Sequence, residues 1–261
     1  MATTIDIEDI SDNDLRDLLD SEAARINSPL FIGDDPVQFP RRFSRLQDIE
    51  IAALLASTIV WGNRRMICRD GDRLMALMDN RPWQFVMDEG YEDLAPGNIH
   101  RTFFVDNLQH YLRGLRRIYA RYGSLQDLAR KERVGESEAP AWHLAGVINR
   151  ELAEANGGKA DSRCLPQNLS ATALKRLNMA LRWLVRNDGI VDLGVWDVIS
   201  PSQLRIPLDV HVADVSRRLG LLSRRSNDRK AVEQLTGRLR LYRSDDPALY
   251  DFALFGIGMQ L

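Results

Sequence analysis

The sequence predicts an almost entirely α-helical protein. Apolar residues recur three and four positions apart along most of its 261 residues, and no segment alternates apolar and polar residues as a strand does. Hydrophobic residues make up 44% of the chain, which is enough for one large core or two modest ones. A break in the helical pattern at residues 154–167 contains Gly157, Gly158 and Pro166. We therefore expect a single all-α domain over residues 1–261, built as two lobes that meet near this break.

The predicted N-terminal lobe, residues 41–160, follows an acidic helix and loop over residues 1–40. Ser11 is placed to cap the first helix, which runs to Ile26, and the acidic residues of its first turn suit the helix dipole. Prolines and a glycine in residues 31–42 predict a loop. Four helices are then predicted from the apolar periodicity, at residues 46–61, 65–79, 103–122 and 142–155.

The second lobe is predicted over residues 161–246. Its helices are expected at residues 170–186, 210–222 and 228–242, where the apolar positions again follow helical spacing. A last helix begins at Pro247, and we expect residues 247–258 to pack back against the N-terminal lobe.

The net charge of −2 conceals a strong asymmetry along the chain. Residues 1–37 contain ten acidic and two basic residues, so this segment carries −8 and the remainder carries +6. Basic stripes of this kind can neutralise the phosphates of a nucleic acid, although they can also be no more than solvated helix faces. The stripes are Arg113, Arg116, Arg117 and Arg121; Arg176, Arg182 and Arg186; and Arg217, Arg218, Arg224, Arg225 and Arg229.

Cysteine and histidine usage excludes several classes of site. Cys68 and Cys164 are the only cysteines, which are too few for a disulfide framework, a four-cysteine zinc site or an iron–sulfur cluster. The four histidines have no metal-ligand spacing with them, so we predict no metal and no cofactor. The N-terminus lacks the features of a secretion signal, and no apolar run is long enough to cross a bilayer, so a cytoplasmic protein without a membrane partner is expected.

The most informative segment runs from Pro207 to Leu221. It reads Pro-Leu-Asp-Val-His-Val and ends in Arg-Arg-Leu-Gly-Leu. Pro207 prevents a helix upstream, and Asp209 is a favourable N-cap for the helix that follows. Upstream lies Lys175, one of only four lysines among 35 basic residues. A lysine can become a neutral amine and attack carbon, which an arginine cannot do, although chance also accounts for a single lysine.

This segment resembles the Val-Asp-Thr-His-Val and Arg-Leu-Gly-Leu run of endonuclease III and its relatives, the helix-hairpin-helix DNA glycosylases. The resemblance implies that Asp209 is a catalytic aspartate and also a helix cap, and that Lys175 is the catalytic lysine. It makes His211 and Arg217 candidate DNA-binding residues. On the helix of Lys175, three more DNA-facing candidates share its face: Asn178, Arg182 and Arg186.

Two further stretches resemble the same family. Residues 48–63 are similar to the glycosylase helix that leads into a DNA-intercalating loop, which makes Trp61, Asn63 and Arg64 candidates for base stacking or wedging. Packing of Trp61 in the core is the plainer alternative. The closing run Tyr250 to Gly256 resembles the final glycosylase helix, here without the cysteine cluster of endonuclease III.

The chain departs from the family pattern at the hairpin. The usual Leu-Pro-Gly-Val-Gly is replaced by Leu-Pro-Gln-Asn-Leu-Ser at residues 165–170, so a degenerate hairpin without glycines is expected. The separation of 34 residues between Lys175 and Asp209 also exceeds that of endonuclease III. Both features are similar to the archaeal 8-oxoguanine DNA glycosylases. The C-terminal pattern Lys-Arg-Leu-Asn, Arg-Trp, Arg-Asn-Asp, Asp-Leu-Gly-Val-Trp and Pro-Leu-Asp-Val-His-Val resembles that of an uncharacterised bacterial domain family that adjoins these enzymes.

The resemblance implies a monomeric base-excision repair enzyme of the nucleoid that binds double-stranded DNA containing a damaged base, with 8-oxoguanine as the leading candidate. Lys175 would attack the sugar, and β-elimination through a Schiff base could follow, without a cofactor. Two alternatives remain open. The chain could be a non-catalytic helix-hairpin-helix DNA-binding protein, or a helical protein-interaction module in which basic stripes meet an acidic partner.

Overall fold

The architecture is described from a computed structural model, which covers residues 11–259. Residues 1–10 and 260–261, including the acidic Asp6, Glu8 and Asp9 of the predicted N-terminal segment, lie outside the described residues. The described part is mostly helical, as predicted. In chain order its helices are α1 (Asp12–Ile26), α2 (Pro29–Ile32), α3 (Leu46–Thr58), α4 (Arg64–Leu77), α5 (Pro82–Met87), α6 (Val105–Tyr122), α7 (Leu125–Lys131), α8 (Pro140–Ala155), α9 (Lys175–Val185), α10 (Val210–Arg218), α11 (Arg229–Arg240) and α12 (Tyr250–Gly258).

One small sheet interrupts the helical pattern. Strands β1 (Asn98–His100) and β2 (Phe103–Phe104) form an antiparallel pair directly before α6. This pair of strands was not predicted, because each strand is too short to show an alternating pattern. Helices α2, α5 and α7 escaped prediction for the same reason, since each spans less than about two turns.

Helix α3 lies at the centre of the fold. Its residues from Ile49 to Thr58 are all buried, which agrees with its nearly continuous apolar sequence. It packs against α9 and α5, while α6 packs along α8. The buried apolar side chains of the described residues form one cluster that extends from Leu15 in α1 to Ile257 in α12.

Helix α1 packs against α12, the last helix. Ser11 caps it as predicted, accepting a hydrogen bond from the amide of Asp14, and the apolar stripe Leu15, Leu19 and Ala23 is buried. The main partners of α12 are α1 and α10 rather than the helices of residues 41–160 on which we expected it to pack. Its end still reaches the N-terminal lobe, because the Arg64 guanidinium of α4 lies over the Phe255 ring.

The helix that carries Lys175 begins later than predicted. Residues 170–174 are not helical, and α9 starts at Lys175 after Leu174, whose φ of 49° is left-handed. The cause is non-local: Thr172 forms an isolated antiparallel bridge with Asp228, and the carbonyl of Ala171 accepts from the amide of Arg229. These bonds draw the segment away from a helical path and place Lys175 at a helix end. Over the described residues, no helix is both long and apolar enough to cross a membrane.

Candidate functional site

A cleft of about 540 Å³ opens where the end of α3 and the beginnings of α9 and α10 meet the last helix α12. Lys175 and Asp209 both line it, although they are separated by 34 residues in the sequence. Its other lining residues include Phe31, Trp61, Arg64, Arg182, His211 and Asp251. A cleft of this volume is in the range that holds small ligands and cofactors.

Lys175 and Asp209 form an ion pair inside this cleft. The Lys175 Nζ atom lies 3.4 Å from Asp209 Oδ2 and 3.4 Å from the carbonyl oxygen of Val60. Both side chains are partly accessible, at 24% and 30% of their maximum, so a ligand in the cleft can reach them. A lysine and a carboxylate in contact at the wall of a cleft can exchange a proton during a reaction.

The two oxygens of Asp209 have different partners. Oδ1 accepts hydrogen bonds from the backbone amides of His211 and Val212, both at 2.9 Å, and so caps α10. Oδ2 faces Lys175. The predicted cap is therefore present, and it leaves one carboxylate oxygen directed at the lysine.

Trp61 stands between this cleft and a second one. Both clefts are lined by Trp61, Lys175 and Asn227, and the second, of about 530 Å³, extends towards Arg163 and Leu174. The Trp61 ring is partly buried and packs edge-on against His100, with ring centroids 4.8 Å apart. Trp61 therefore packs against His100 on one side and lines both clefts on the other.

A buried histidine fixes the backbone of Trp61. His100 Nε2 lies 2.9 Å from the Trp61 carbonyl oxygen, and Nδ1 lies 2.8 Å from Asp70 Oδ2. The next residue, Gly62, has a φ of 111°, which side-chain-bearing residues rarely adopt. Sequence analysis missed His100 and Asp70, because neither has a local pattern that connects it to residue 61.

The beginning of α9 opens into the second cleft. Leu174 provides no side-chain cap, so the first amides of α9 have no capping side chain. Arg163 lies in the lining of this cleft, where its guanidinium donates to the carbonyl of Thr102. Amides that no side chain among residues 11–259 caps, together with an arginine, make this edge of the cleft favourable for an anion.

The face of α9 beyond Lys175 is not an exposed basic surface, which corrects our expectation for this stripe. Asn178, Arg182 and Arg186 are buried. Arg182 forms ion pairs with Asp192 and Asp251, and Arg186 pairs with Asp188, Asp192 and Asp246. The carboxylates come from the segment after α9 and from the chain around α12, so a count of charges along α9 could not reveal them.

The other two basic stripes differ from each other. In α6, Arg113, Arg116, Arg117 and Arg121 are paired with Glu89, Glu92, Glu151 and Glu154. Within the described residues, the stripe at residues 217–229 forms one ion pair, between Arg224 and Asp228. Arg217 donates instead to the backbone carbonyls of Arg224 and Arg225, and Arg225 is exposed. This third stripe keeps most of its positive charge, and Asn227 places it beside both clefts.

The remaining candidates occupy varied positions. Arg64 pairs with Asp35 at 2.8 Å and lies over the rings of Phe31 and Phe255 in the cleft wall. His211 is exposed at the cleft rim. Asn63 is exposed and caps α4 by accepting from the amide of Arg65. The structure thus brings Trp61, Arg64, Arg182 and His211 to the cleft of Lys175 and Asp209. Asn63, Asn178, Arg186 and Arg217 lie outside its lining.

Asp251 is the cleft residue that sequence analysis missed. It is almost completely buried at the start of α12, where Arg182 donates to its Oδ2 atom. Burial raises the pKa of Asp251 to about 6, the positive charge of Arg182 opposes this rise, and the negative charge of Asp209 adds to it. Within residues 11–259, no group of three or more His, Cys, Asp or Glu side chains is placed to hold a metal ion.

Comparison with known proteins identifies the family. Residues 35–260 match the family model described as "Protein of unknown function (DUF2400)", and the chain belongs to this family. No curated protein and no solved structure shows a significant match.

Proposed function

We propose that this DUF2400 protein is a DNA base-excision glycosylase with an associated lyase activity. The observation that carries the proposal is the 3.4 Å contact between Lys175 Nζ and Asp209 Oδ2 inside a cleft of about 540 Å³. A lysine nucleophile with an adjacent carboxylate is the pair that amine attack on a sugar requires. Two residues chosen from sequence motifs alone are neighbours at an accessible site.

The proposed chemistry begins with a damaged base that has been flipped out of the duplex into the cleft. The neutral amine of Lys175 attacks the anomeric carbon, and the bond from this carbon to the base breaks, with its electron pair leaving on the base. The Asp209 carboxylate stabilises the positive charge that develops on the sugar. Loss of a proton and opening of the sugar ring give an imine, and β-elimination of the 3′ phosphate then cleaves the strand.

The aromatic wall of the cleft supports a flat ligand. Phe31, Trp61 and Phe255 line it, and the Arg64 guanidinium lies over two of these rings. Stacking of a nucleobase on an aromatic side chain contributes about 1–3 kcal/mol. Arg64 donors and the acceptors of Asp35 and Asp251 also line this wall, so a base with both hydrogen-bond donors and acceptors is favoured. 8-Oxoguanine remains the leading candidate among such bases.

Features around the cleft support contact with double-stranded DNA. The stripe at residues 217–229 contains arginines that form no ion pair with residues 11–259 and lies beside both clefts, and the start of α9, which no side chain among these residues caps, faces the second cleft together with Arg163. Both are suited to phosphate groups. The long segment between α8 and α9 that precedes Lys175, and the capping Asp209, support a helix-hairpin-helix glycosylase-like fold with a degenerate hairpin. A place at the nucleoid follows from this proposal.

Borohydride trapping tests the proposal. The substrates are duplexes with an abasic site, whose free aldehyde needs no lesion recognition, and duplexes with single oxidised bases including 8-oxoguanine. We expect the wild-type protein to form a covalent adduct and Lys175→Ala to form none. Lys159→Ala is the matched control, because Lys159 is exposed and lies outside both clefts, and it should trap as the wild type does.

Three results would contradict the nucleophile assignment. Equal trapping by the wild type and Lys175→Ala would place the reactive amine elsewhere. Duplex binding without trapping on any substrate would favour the non-catalytic DNA-binding alternative. Absence of DNA affinity together with salt-sensitive association with another protein would favour the interaction module.

A further inference from the structure

A chain of buried ion pairs leads from the cleft to the protein surface. It starts at Asp251 in the cleft and passes through Arg182, Asp192 and Arg186. It ends at Asp188 and Asp246, which are partly accessible and both contact Arg186. The chain connects α9, α12 and the segments that precede α10 and α12, so it fixes the carboxylate of Asp251 relative to Lys175.

This chain of ion pairs contains more acidic than basic side chains. Four carboxylates share two guanidinium groups, and an arginine does not give up its proton in a protein. A buried negative charge without a full partner is costly, and binding a proton removes that cost. Asp188 and Asp246 are partly accessible, so solvent reduces the cost of their charges, whereas burial raises the pKa of Asp192 and Asp251 and favours proton uptake by these two carboxylates.

Asp251 is the member of the chain that can take a proton from the cleft. Arg182 bonds to its Oδ2 atom, and Oδ1 has no hydrogen-bond donor among the described residues. Burial raises the pKa of Asp192 as well, but Arg182 and Arg186 both bond to that side chain, and it does not line the cleft. For Asp251, burial raises the pKa to about 6, so its carboxylate is largely ionised at neutral pH and still able to accept a proton.

The proposed reaction needs a group that accepts a proton from Lys175. Lys175 must lose a proton before its amine can attack carbon. Asp209 contacts the amine, but it must remain negatively charged to stabilise the sugar cation, so it cannot keep that proton. We propose that Asp251 is the proton acceptor of Lys175, holding in the cleft the proton that the ammonium group releases.

The proposed step is balanced within the protein. One N–H bond of the Lys175 ammonium breaks and one O–H bond forms at Asp251 Oδ1, so a cation and an anion become a neutral amine and a neutral carboxyl group. Asp209 or water in the open cleft passes the proton between them. Arg182 and Lys175 of α9 favour the ionised form of Asp251, and Asp209 at the start of α10 disfavours it. The other titratable groups that line the cleft with it are Asp35, Arg64 and His211, and Asp20 and Glu22 of α1 lie beside Tyr250 and Gly256 of α12.

The inference rests on the proposed function and is tested by the pH dependence of borohydride trapping on the abasic-site duplex. We expect the wild-type trapping rate to rise as pH increases through about 6, where Asp251 loses its proton and becomes able to accept another. In Asp251→Asn we expect the rate at pH 7 to fall at least about 10-fold and the rise near pH 6 to disappear. Glu151→Gln is the control, because it removes a buried, arginine-paired carboxylate that lies outside both clefts and outside this chain of ion pairs, and it should keep the wild-type pH profile.

An unchanged rate and pH profile in Asp251→Asn would overturn the inference, and so would the same loss in Glu151→Gln. If thermal melting shows that a variant does not fold, the pH dependence of wild-type trapping is the test. A wild-type trapping rate that does not rise between pH 5 and 7 would exclude Asp251 as the proton acceptor. Failure of the wild type to trap at any pH would instead overturn the proposed function itself.

Discussion

At the scale of single residues, Asp209 combines a structural and a chemical role on separate oxygens. Its Oδ1 atom caps α10, and its Oδ2 atom faces Lys175. The cap could be predicted because capping depends on neighbouring residues in the sequence. The contact with Lys175 could not be calculated from the sequence, because it depends on how α9 and α10 pack. It was anticipated only through the family resemblance.

Substitution of Asp209 separates its two roles. Asp209→Asn keeps the capping oxygen, so we expect unfolding free energy within about 0.5 kcal/mol of the wild type and a loss of trapping of at least about 100-fold. Asp209→Ala should lose the trapping and also about 1 kcal/mol of stability. Ser11→Ala removes the cap of α1 at a residue that does not line the cleft, so it should cost a similar stability without affecting trapping. Wild-type trapping by Asp209→Asn would reduce this residue to a cap.

Glu50 provides a residue-scale prediction about stability. It is fully buried in α3, where it accepts hydrogen bonds from the amides of Leu125 and Gln126 and from the Trp196 indole. Burial raises its pKa from 4.5 to about 7. Between these values the folded protein holds a proton that the unfolded chain releases, so this group's contribution to stability is present below pH 4.5 and falls as pH rises through 7.

Urea unfolding of the wild type and Glu50→Gln measures this effect. Glutamine does not titrate, so the stability advantage of the wild type over the variant should shrink by about 3 kcal/mol between pH 4.5 and 8. A difference that stays constant across this range would show that Glu50 does not change its protonation there.

At the scale of elements, the long helices were predictable because their apolar residues repeat at helical spacing over several turns. The start of α9 was not, because the bridge between Thr172 and Asp228 joins segments more than 50 residues apart. Asp251 was missed for a similar reason. Its helix was recognised, but its position in the cleft depends on the packing of α12 against α10.

Gly114 of α6 tests the close packing of α6 on α8, and Gly146 of α8, which faces Leu169 instead, is its control. A Cβ atom at Gly114 of α6 would lie 2.1 Å from Leu152 Cδ2 and 2.9 Å from the Leu152 Cα atom, so Gly114→Ala must push the helices apart. We expect it to cost about 1–3 kcal/mol. At Gly146 of α8 the nearest atom would be 3.6 Å away, an ordinary contact, so Gly146→Ala should stabilise the protein by about 0.5–1 kcal/mol. Chemical denaturation measures both, and effects of the same sign would contradict this packing.

At the scale of the whole molecule, charge counted along the sequence proved a poor guide to surface charge. Three basic stripes were identified in the sequence. Glutamates pair with the arginines of the stripe on α6, and aspartates pair with the buried Arg182 and Arg186 of the stripe on α9. The stripe at residues 217–229 contains arginines without an acidic partner in the part of the chain that the structure describes, and it lies beside the clefts. The compensating carboxylates lie far away in the sequence, so only the folded arrangement reveals which stripe can bind phosphate.

The salt dependence of duplex binding tests this difference between the stripes. Each phosphate contact contributes a slope of about −0.9 to the logarithm of affinity against the logarithm of salt concentration. We expect Arg225→Ala to weaken binding and to reduce the slope by about one contact. Arg113→Ala is the control, because Glu92 already holds its guanidinium, and it should leave the slope unchanged. The reverse outcome would place the DNA on the α6 face.

The central claim is that Lys175 is the nucleophile, and mass mapping of the trapped adduct tests it most directly. The wild-type protein is reduced with borohydride on the abasic-site duplex, digested, and its modified peptide sequenced. We expect the sugar remnant on Lys175. A remnant on Lys131, Lys159, Lys230 or the N-terminal amine, with Lys175 unmodified, would contradict it.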